Sequence, residues 1–319
     1  MTRLLALILD ALDVDNLRMF EMPHLQERYA ESGDIFTCAT RPHTAESNPM
    51  IWGGIENNHR YWVEPENESV EGIHGRTQKD DGYVDPAMFF DRSKGSPVEG
   101  ASGFSREDDY ANESFIWDDL AVAGYDARAL QVPVTLPPFS TANVTDTLSK
   151  SWFPDTQERQ HDHIRKKPEL IRDQFEDGAE FLATSIQMPD KWLHGIGEGE
   201  VTEEWVLSEA PVLDEQVSDL LDYCEENGIE WAVFGDHGSP APGAMMVRGG
   251  EYALPRHRKQ SIIISSDGIE PPTYSDEMYE WVLDVYGAES VGKQVVPGWD
   301  EGATDSQAVE DRLEALGYK

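Results

Sequence analysis

Leu4-Leu5-Ala6-Leu7-Ile8-Leu9 is an unbroken apolar run, and Asp10 ends it. A strand with one wet face would alternate apolar and polar residues. A continuous run of this length instead suits a strand covered on both faces, as in the interior of a parallel sheet. In such sheets ligands bind outside the carboxyl ends of the strands, which makes an acidic residue at that end a candidate for chemistry. Glu230-Trp231-Ala232-Val233-Phe234-Gly235 repeats the arrangement and is followed by Asp236. Ser261-Ile262-Ile263-Ile264-Ser265 supplies a further buried strand.

Between these runs the chain alternates helical and strand-like segments. Residues 23–32 read as a short helix closed by Gly33, with a strand over 34–39 and a Gly- and Asn-rich segment over 40–58. Residues 64–112 are polar and lack sustained periodicity, too long for a plain loop, and read as an insertion or lid. A helix is expected over 114–123, strands over 127–132 and 179–187, and helices over 168–177, 203–226, 276–286 and 305–316. No internal repeat is visible. The expected fold is a single α/β domain over 1–319: a doubly wound, mostly parallel central sheet flanked by helices, with the 64–112 insertion on it.

Apolar residues make up 39% of the chain and aromatics 10%, enough for a core, so the mean hydropathy of −0.54 reflects the surface. Acidic residues number 62 against 25 basic, a net charge of −37 spread along the whole chain. Self-repulsion at that charge is severe in dilute salt and largely screened in molar salt, where the screening length falls to ~3 Å. The expected milieu is the salt-rich cytoplasm of a halophile, or of a virus that infects one. Binding of duplex nucleic acid is not expected, because the best basic cluster, Arg165 to Lys167, is short. Two cysteines, Cys38 and Cys224, exclude a disulfide framework, and Cys224 reads as core packing on the apolar side of a helix. The first apolar run is about a third of a membrane span and reads as neither anchor nor signal peptide.

Chemistry is concentrated at three separated places that place Asp or His just past a strand: Asp10, the segment from Asp190 to His194, and Gly235-Asp236-His237-Gly238. A parallel sheet brings such ends to one edge. Mixed carboxylate and imidazole ligands there suit zinc, manganese or iron, and two such ions are the usual apparatus for in-line phosphoryl displacement. Each residue alone has an ordinary reading. Asp10 or Thr44 can cap a helix, Asp190 and His194 can be a surface pair, and Asp-His-Gly can be a turn. His161 and His163 form another pair, read here as part of a solvated loop because residues 160–167 adjoin no apolar strand.

In order along the chain these segments resemble the alkaline phosphatase superfamily, and within it the type I phosphodiesterase and nucleotide pyrophosphatase branch. Pro42-His43-Thr44-Ala45-Glu46-Ser47-Asn48-Pro49, ending in Gly53-Gly54, resembles the nucleophile segment, in which Thr or Ser opens a helix. Ile116 to Leu120 followed by Val132 to Pro138 resembles another passage of the branch. The resemblance implies one metal held by Asp10, Thr44, Asp236 and His237, and a second held by Asp190, His194 and His257. It implies two divalent ions, zinc first with manganese or magnesium as alternatives, and a Thr44 nucleophile with Asn48 as a further donor to substrate oxygens. The implied substrate is a small phosphate ester, and assembly into a homo-oligomer or a larger complex stays open. The alternatives on this fold are a phosphomonoesterase, a phosphonate hydrolase, a phosphomutase or an inactive binding member. Sulfatase chemistry is not implied, because Cys38-Ala39-Thr40-Arg41-Pro42 does not fit the Cys-x-Pro-x-Arg motif.

Overall fold

The computed structural model describes residues 2–39, 44–54, 90–91, 96–97, 115–130, 132, 156–193, 202–239 and 257–290. In chain order the elements are β1 (Leu4–Leu9), α1 (Val14–Met19), α2 (Pro23–Ser32), β2 (Gly33–Thr37), α3 (Thr44–Gly53), β3 (Phe90–Asp91) and β4 (Ser96–Pro97). They continue with α4 (Ile116–Val122), β5 (Ala127–Leu130), α5 (Gln157–Glu176), β6 (Phe181–Ile186), α6 (Asp190–Leu193), α7 (Glu203–Glu226), β7 (Glu230–Phe234) and β8 (Gln260–Ser265). A 3-10 turn (Ser275–Glu277) leads into α8 (Met278–Tyr286). The short pair β3–β4 falls inside the expected insertion, whose other residues lie outside the described ones, as does the helix expected over 305–316.

Six strands form the central sheet in the order β2-β8-β7-β1-β6-β5. β7, β1, β6 and β5 run parallel; β8 is antiparallel to both β7 and β2. This is the mostly parallel sheet the apolar runs predict. β1 lies inside it, and every residue of the strand is buried. Its side chains alternate between two cores: Leu5, Leu7 and Leu9 join the cluster of Leu17, Ile171, Leu213 and Leu220, whereas Leu4, Ala6 and Ile8 join Trp52, Trp117, Val282 and Leu283. The sheet is thus covered on both faces, by α1, α2, α5 and α7 on one side and by α3, α4 and α8 on the other. Substituting one of these leucines by alanine would cost ~2–5 kcal/mol.

α2 is capped from a distance. Its first-turn amides, at His24 and Leu25, donate to the Asp214 carboxylate of α7, each at 2.9 Å. Asp214 therefore fills the role that a side chain at Met22, the N-cap position, cannot.

Two expectations need correction. The helix placed at 168–177 starts at Gln157, where the Thr156 hydroxyl accepts from Arg159 N, and Pro168 lies inside it. Its buried face carries Gln160, His163, Lys167 and Gln174 beside Ile164, Ile171 and Phe175. The residues expected in a solvated loop are therefore helical. His163 is buried, and burial with the nearby Lys167 and Lys191 charges holds its ring neutral, with a pKa lowered to about 3. His161 instead pairs with Glu209 of α7 at 3.0 Å.

Cys38 and Cys224 are both buried, and burial pushes the Cys224 thiol up to about 12. Among the described residues, no helix is long and apolar enough to cross a membrane.

Candidate metal centre

Asp10 follows β1, Asp190 opens α6 after β6, and Asp236 and His237 follow β7, so one sheet edge collects all four. His257 reaches the same edge by a different route. Because β8 runs antiparallel, the residues before it, and not those after it, lie there. The backbone ties the segments together: Asp10 N donates to Ile186 O at 2.9 Å and Asp190 N to Asp10 O at 3.1 Å.

Close packing explains the two glycines that bracket Asp236 and His237. A Cβ at Gly235 would stand 2.5 Å from Leu12 O, and one at Gly238 would stand 1.9 Å from Gln260 O. Only glycine lets the β7 turn lie against the Asp10 turn and against β8 together.

Two groups of three side chains converge at this edge: Asp10, Asp236 and His237, and Asp190, His237 and His257. His237 Nε2 is 3.5 Å from Asp10 Oδ1 and 3.7 Å from Asp236 Oδ2. His257 Nε2 is 3.4 Å from Asp190 Oδ1. Ligands bonded tetrahedrally at 2.0–2.2 Å lie about 3.3–3.6 Å apart, so these separations suit a shared cation. The two imidazole rings lie with centroids 4.1 Å apart, and His257 Nδ1 is 3.2 Å from His237 Nε2.

The orientation of His237 is fixed by its surroundings. Nδ1 lies 3.2 Å from the Gly238 carbonyl, an acceptor only, so Nδ1 donates there and Nε2 faces the Asp10 and Asp236 carboxylates. Burial, and then the charges of Asp236 and Asp190, push the Asp10 carboxyl well above the usual carboxylate range; Lys191 partly offsets them. Three acidic groups crowded in a buried space leave negative charge that a divalent cation would neutralise. The donor set therefore fits the implied ions.

Asp236 is held on both oxygens. Its Oδ1 accepts from Ala11 N at 3.4 Å, and its Oδ2 accepts from Ser47 Oγ at 3.1 Å and Asn48 Nδ2 at 3.2 Å. The amide of Asn48 can point only one way, because Trp52 Nε1, a donor, bonds Asn48 Oδ1 at 3.0 Å. Asn48, expected to face substrate oxygens, thus has its NH₂ turned to Asp236. Ser47 was not anticipated at all. The available signal was a Ser-Asn pair within a helix otherwise lined by Met50, Ile51 and Trp52. Thr44 is the first residue of α3, and His194 lies outside the described residues.

A family model described as type I phosphodiesterase / nucleotide pyrophosphatase matches residues 61–243, more than half of the chain. That stretch includes Asp190, Asp236 and His237; Asp10, Thr44 and His257 lie outside it. No curated protein matches the chain. Among solved structures, the alkaline phosphatase from the Antarctic bacterium TAB5 is 9% identical, with 90% of this chain and 98% of that chain covered, at a TM-score of 0.50. A mutant of the same phosphatase, with Mg bound in its M3 site, gives 0.51 with the same identity and coverage. Murine ectonucleotide pyrophosphatase / phosphodiesterase 5 is 15% identical, with 76% of this chain and 59% of that chain covered, at 0.46. These identities speak for the fold alone: the α/β architecture with its six-stranded sheet is that of the alkaline phosphatase-like structures.

Proposed function

The chain belongs to the type I phosphodiesterase / nucleotide pyrophosphatase family of the alkaline phosphatase superfamily, a phosphoryl-transfer hydrolase lineage, and from that premise we propose that it cleaves phosphodiester or pyrophosphate bonds at a two-metal centre with Thr44 as nucleophile. The observation that carries this reading is the convergence of Asp10, Asp236 and His237, and of Asp190 and His257, around His237.

In this reading Asp10, Asp236, His237 and Thr44 hold one ion, and Asp190, His194 and His257 the other. When bound, zinc or a similar divalent ion supplies charge neutralisation and lowers the pKa of a hydroxyl beside it. The Thr44 hydroxyl gives up its proton to solvent as its oxygen attacks phosphorus, the P–O bond to the leaving group breaks and that oxygen takes a proton from solvent; water then cleaves the phosphothreonine, restoring the Thr44 hydroxyl and releasing the phosphoryl product. Amides at the start of α3 donate to the non-bridging oxygens. Asp236 stays fixed throughout, because Ser47, Asn48 and Ala11 N hold both of its oxygens.

Metal analysis of the protein purified in high salt, together with hydrolysis of an aryl phosphodiester and an aryl phosphomonoester, tests the reading. Close to two divalent ions per chain and faster turnover of the diester are expected. A metal-free protein that hydrolyses neither would sink it, and preference for the monoester would move the reaction class.

The acidic surface belongs to the same reading, as an adaptation to a cytoplasm at molar salt. Raising KCl from about 0.1 M to about 2 M shortens the screening length from ~10 Å to below ~3 Å and should raise the unfolding midpoint by roughly 10 °C. A midpoint that stays flat or falls across that range would remove the halophilic assignment.

A further inference from the structure

Three of the segments that carry candidate ligands, those of Asp10, His237 and His257, also meet in one polar cluster, made of Asp13, Ser239 and Arg258. Asp13 lies three residues after Asp10, Ser239 two after His237, and Arg258 directly after His257. Asp13 Oδ2 accepts from Ser239 N at 2.8 Å, Ser239 Oγ at 2.5 Å and Arg258 Nη2 at 3.2 Å. Its Oδ1 accepts from Asn16 N at 2.8 Å, the N-cap bond of α1. Arg258 reaches further, with Nε donating to Ser239 O at 3.1 Å and Nη2 to Ser239 Oγ at 3.1 Å and Asp15 Oδ2 at 2.7 Å.

The backbone joins the same segments. Gly238 N donates to Arg258 O at 2.7 Å and Arg258 N to Gly238 O at 3.3 Å, the same carbonyl that sets the His237 ring. At the other end Ala11 is held at φ 60°, a left-handed conformation that costs an alanine of order 1 kcal/mol. Asn16 Nδ2 donates to Ala11 O at 2.6 Å and keeps it there. None of the three cluster residues belongs to either ligand group.

We propose that Arg258, clamped on Asp13 and Ser239, is a positioning residue that holds His257 and His237 at the spacing the two-metal centre requires. The inference rests on reading the site as a metal centre. A guanidinium fits this place because its rigid fork of donors can meet a backbone carbonyl, a hydroxyl and two carboxylates at once; the amide of glutamine cannot.

Cobalt(II) titration of the full chain tests it, followed by calorimetry and by the visible ligand-field spectrum, with wild type compared to Arg258→Gln. Outer-shell partners of metal ligands are typically worth 10–100-fold in affinity, so the variant should bind the ion near His257 about 10–100-fold more weakly. Its spectrum should also change in shape, a signature that mere loss of fold stability does not give. Wild-type affinity and spectrum in Arg258→Gln would overturn the inference and leave the metal centre standing. A wild-type protein that takes up no cobalt would overturn both. Should Arg258→Gln fail to fold, Ser239→Ala carries the same comparison with a smaller change, about 10-fold, because it removes one hydroxyl and leaves the backbone contacts in place.

Discussion

His237→Ala is expected to empty the half of the metal centre assigned to Asp10, Asp236, His237 and Thr44, and to lower kcat/KM by about 10⁴, or ~5.5 kcal/mol of transition-state stabilisation. His237 is the residue common to both groups of candidate ligands, and its Nε2 lies 3.5 Å from Asp10 Oδ1 and 3.7 Å from Asp236 Oδ2. Truncation leaves Asp10 and Asp236 without an imidazole neighbour, and deprives His257 of the ring at 4.1 Å that it packs against. Water can enter the vacated volume, yet it cannot replace an oriented lone pair whose direction is fixed by the Nδ1 contact to Gly238. Metal content and steady-state turnover, measured on the same sample, check this. A variant that keeps two ions and turns over as wild type would remove His237 from the centre.

The second large effect belongs to Thr44. Thr44→Ala should lower kcat by at least about 10³, since removal of a nucleophile in a hydrolase costs several decades. Thr44→Ser, which restores a hydroxyl, should recover most of that loss. Unlike His237→Ala, Thr44→Ala should keep both ions, because the candidate ligands Asp10, Asp236 and His237 remain for the first. Acid quenching during turnover, followed by mass spectrometry of the peptide that carries Thr44, should find a phosphoryl group in wild type and none in the alanine variant. Retention of activity within tenfold, or a phosphoryl group on another residue, would displace Thr44 from the role.

The sequence carried the fold through its apolar runs. Leu4 to Leu9 could be recognised as a strand covered on both faces because both sides of it are lined by core, and the ends of such strands point to Asp10 and Asp236. α5 was half hidden for the opposite reason: its buried face includes Gln160, His163 and Lys167, so helical periodicity in polarity is lost just where helical packing occurs. Burial pushes the Lys167 amine well below the usual lysine range, and its Nζ donates to Leu130 O at 3.0 Å, a partner that no local pattern reveals.

The site was legible to the same degree. The candidate ligands stand in short motifs at strand ends. Their supports do not: Ser47 and Asn48 meet Asp236 across 189 and 188 residues, and Arg258 meets Asp13 across 245. Such contacts depend on how turns from distant segments come together. A rule that looks only past strands does not reach His257, which precedes an antiparallel strand; the family resemblance is what named it.

That antiparallel strand has another consequence. The chain leaves the sheet edge at Ser239 and returns to the same edge at His257, with Gly238 and Arg258 paired by two backbone hydrogen bonds at the base. Both ends of residues 240–256 are thus anchored by the scaffold, and the ligands on either side take their positions from that base. Lengthening such a closed excursion is cheap, about 0.6 kcal/mol for each doubling. The pairing at the base therefore lets a segment of different length be carried between Ser239 and His257 while the candidate ligands that flank it keep their positions.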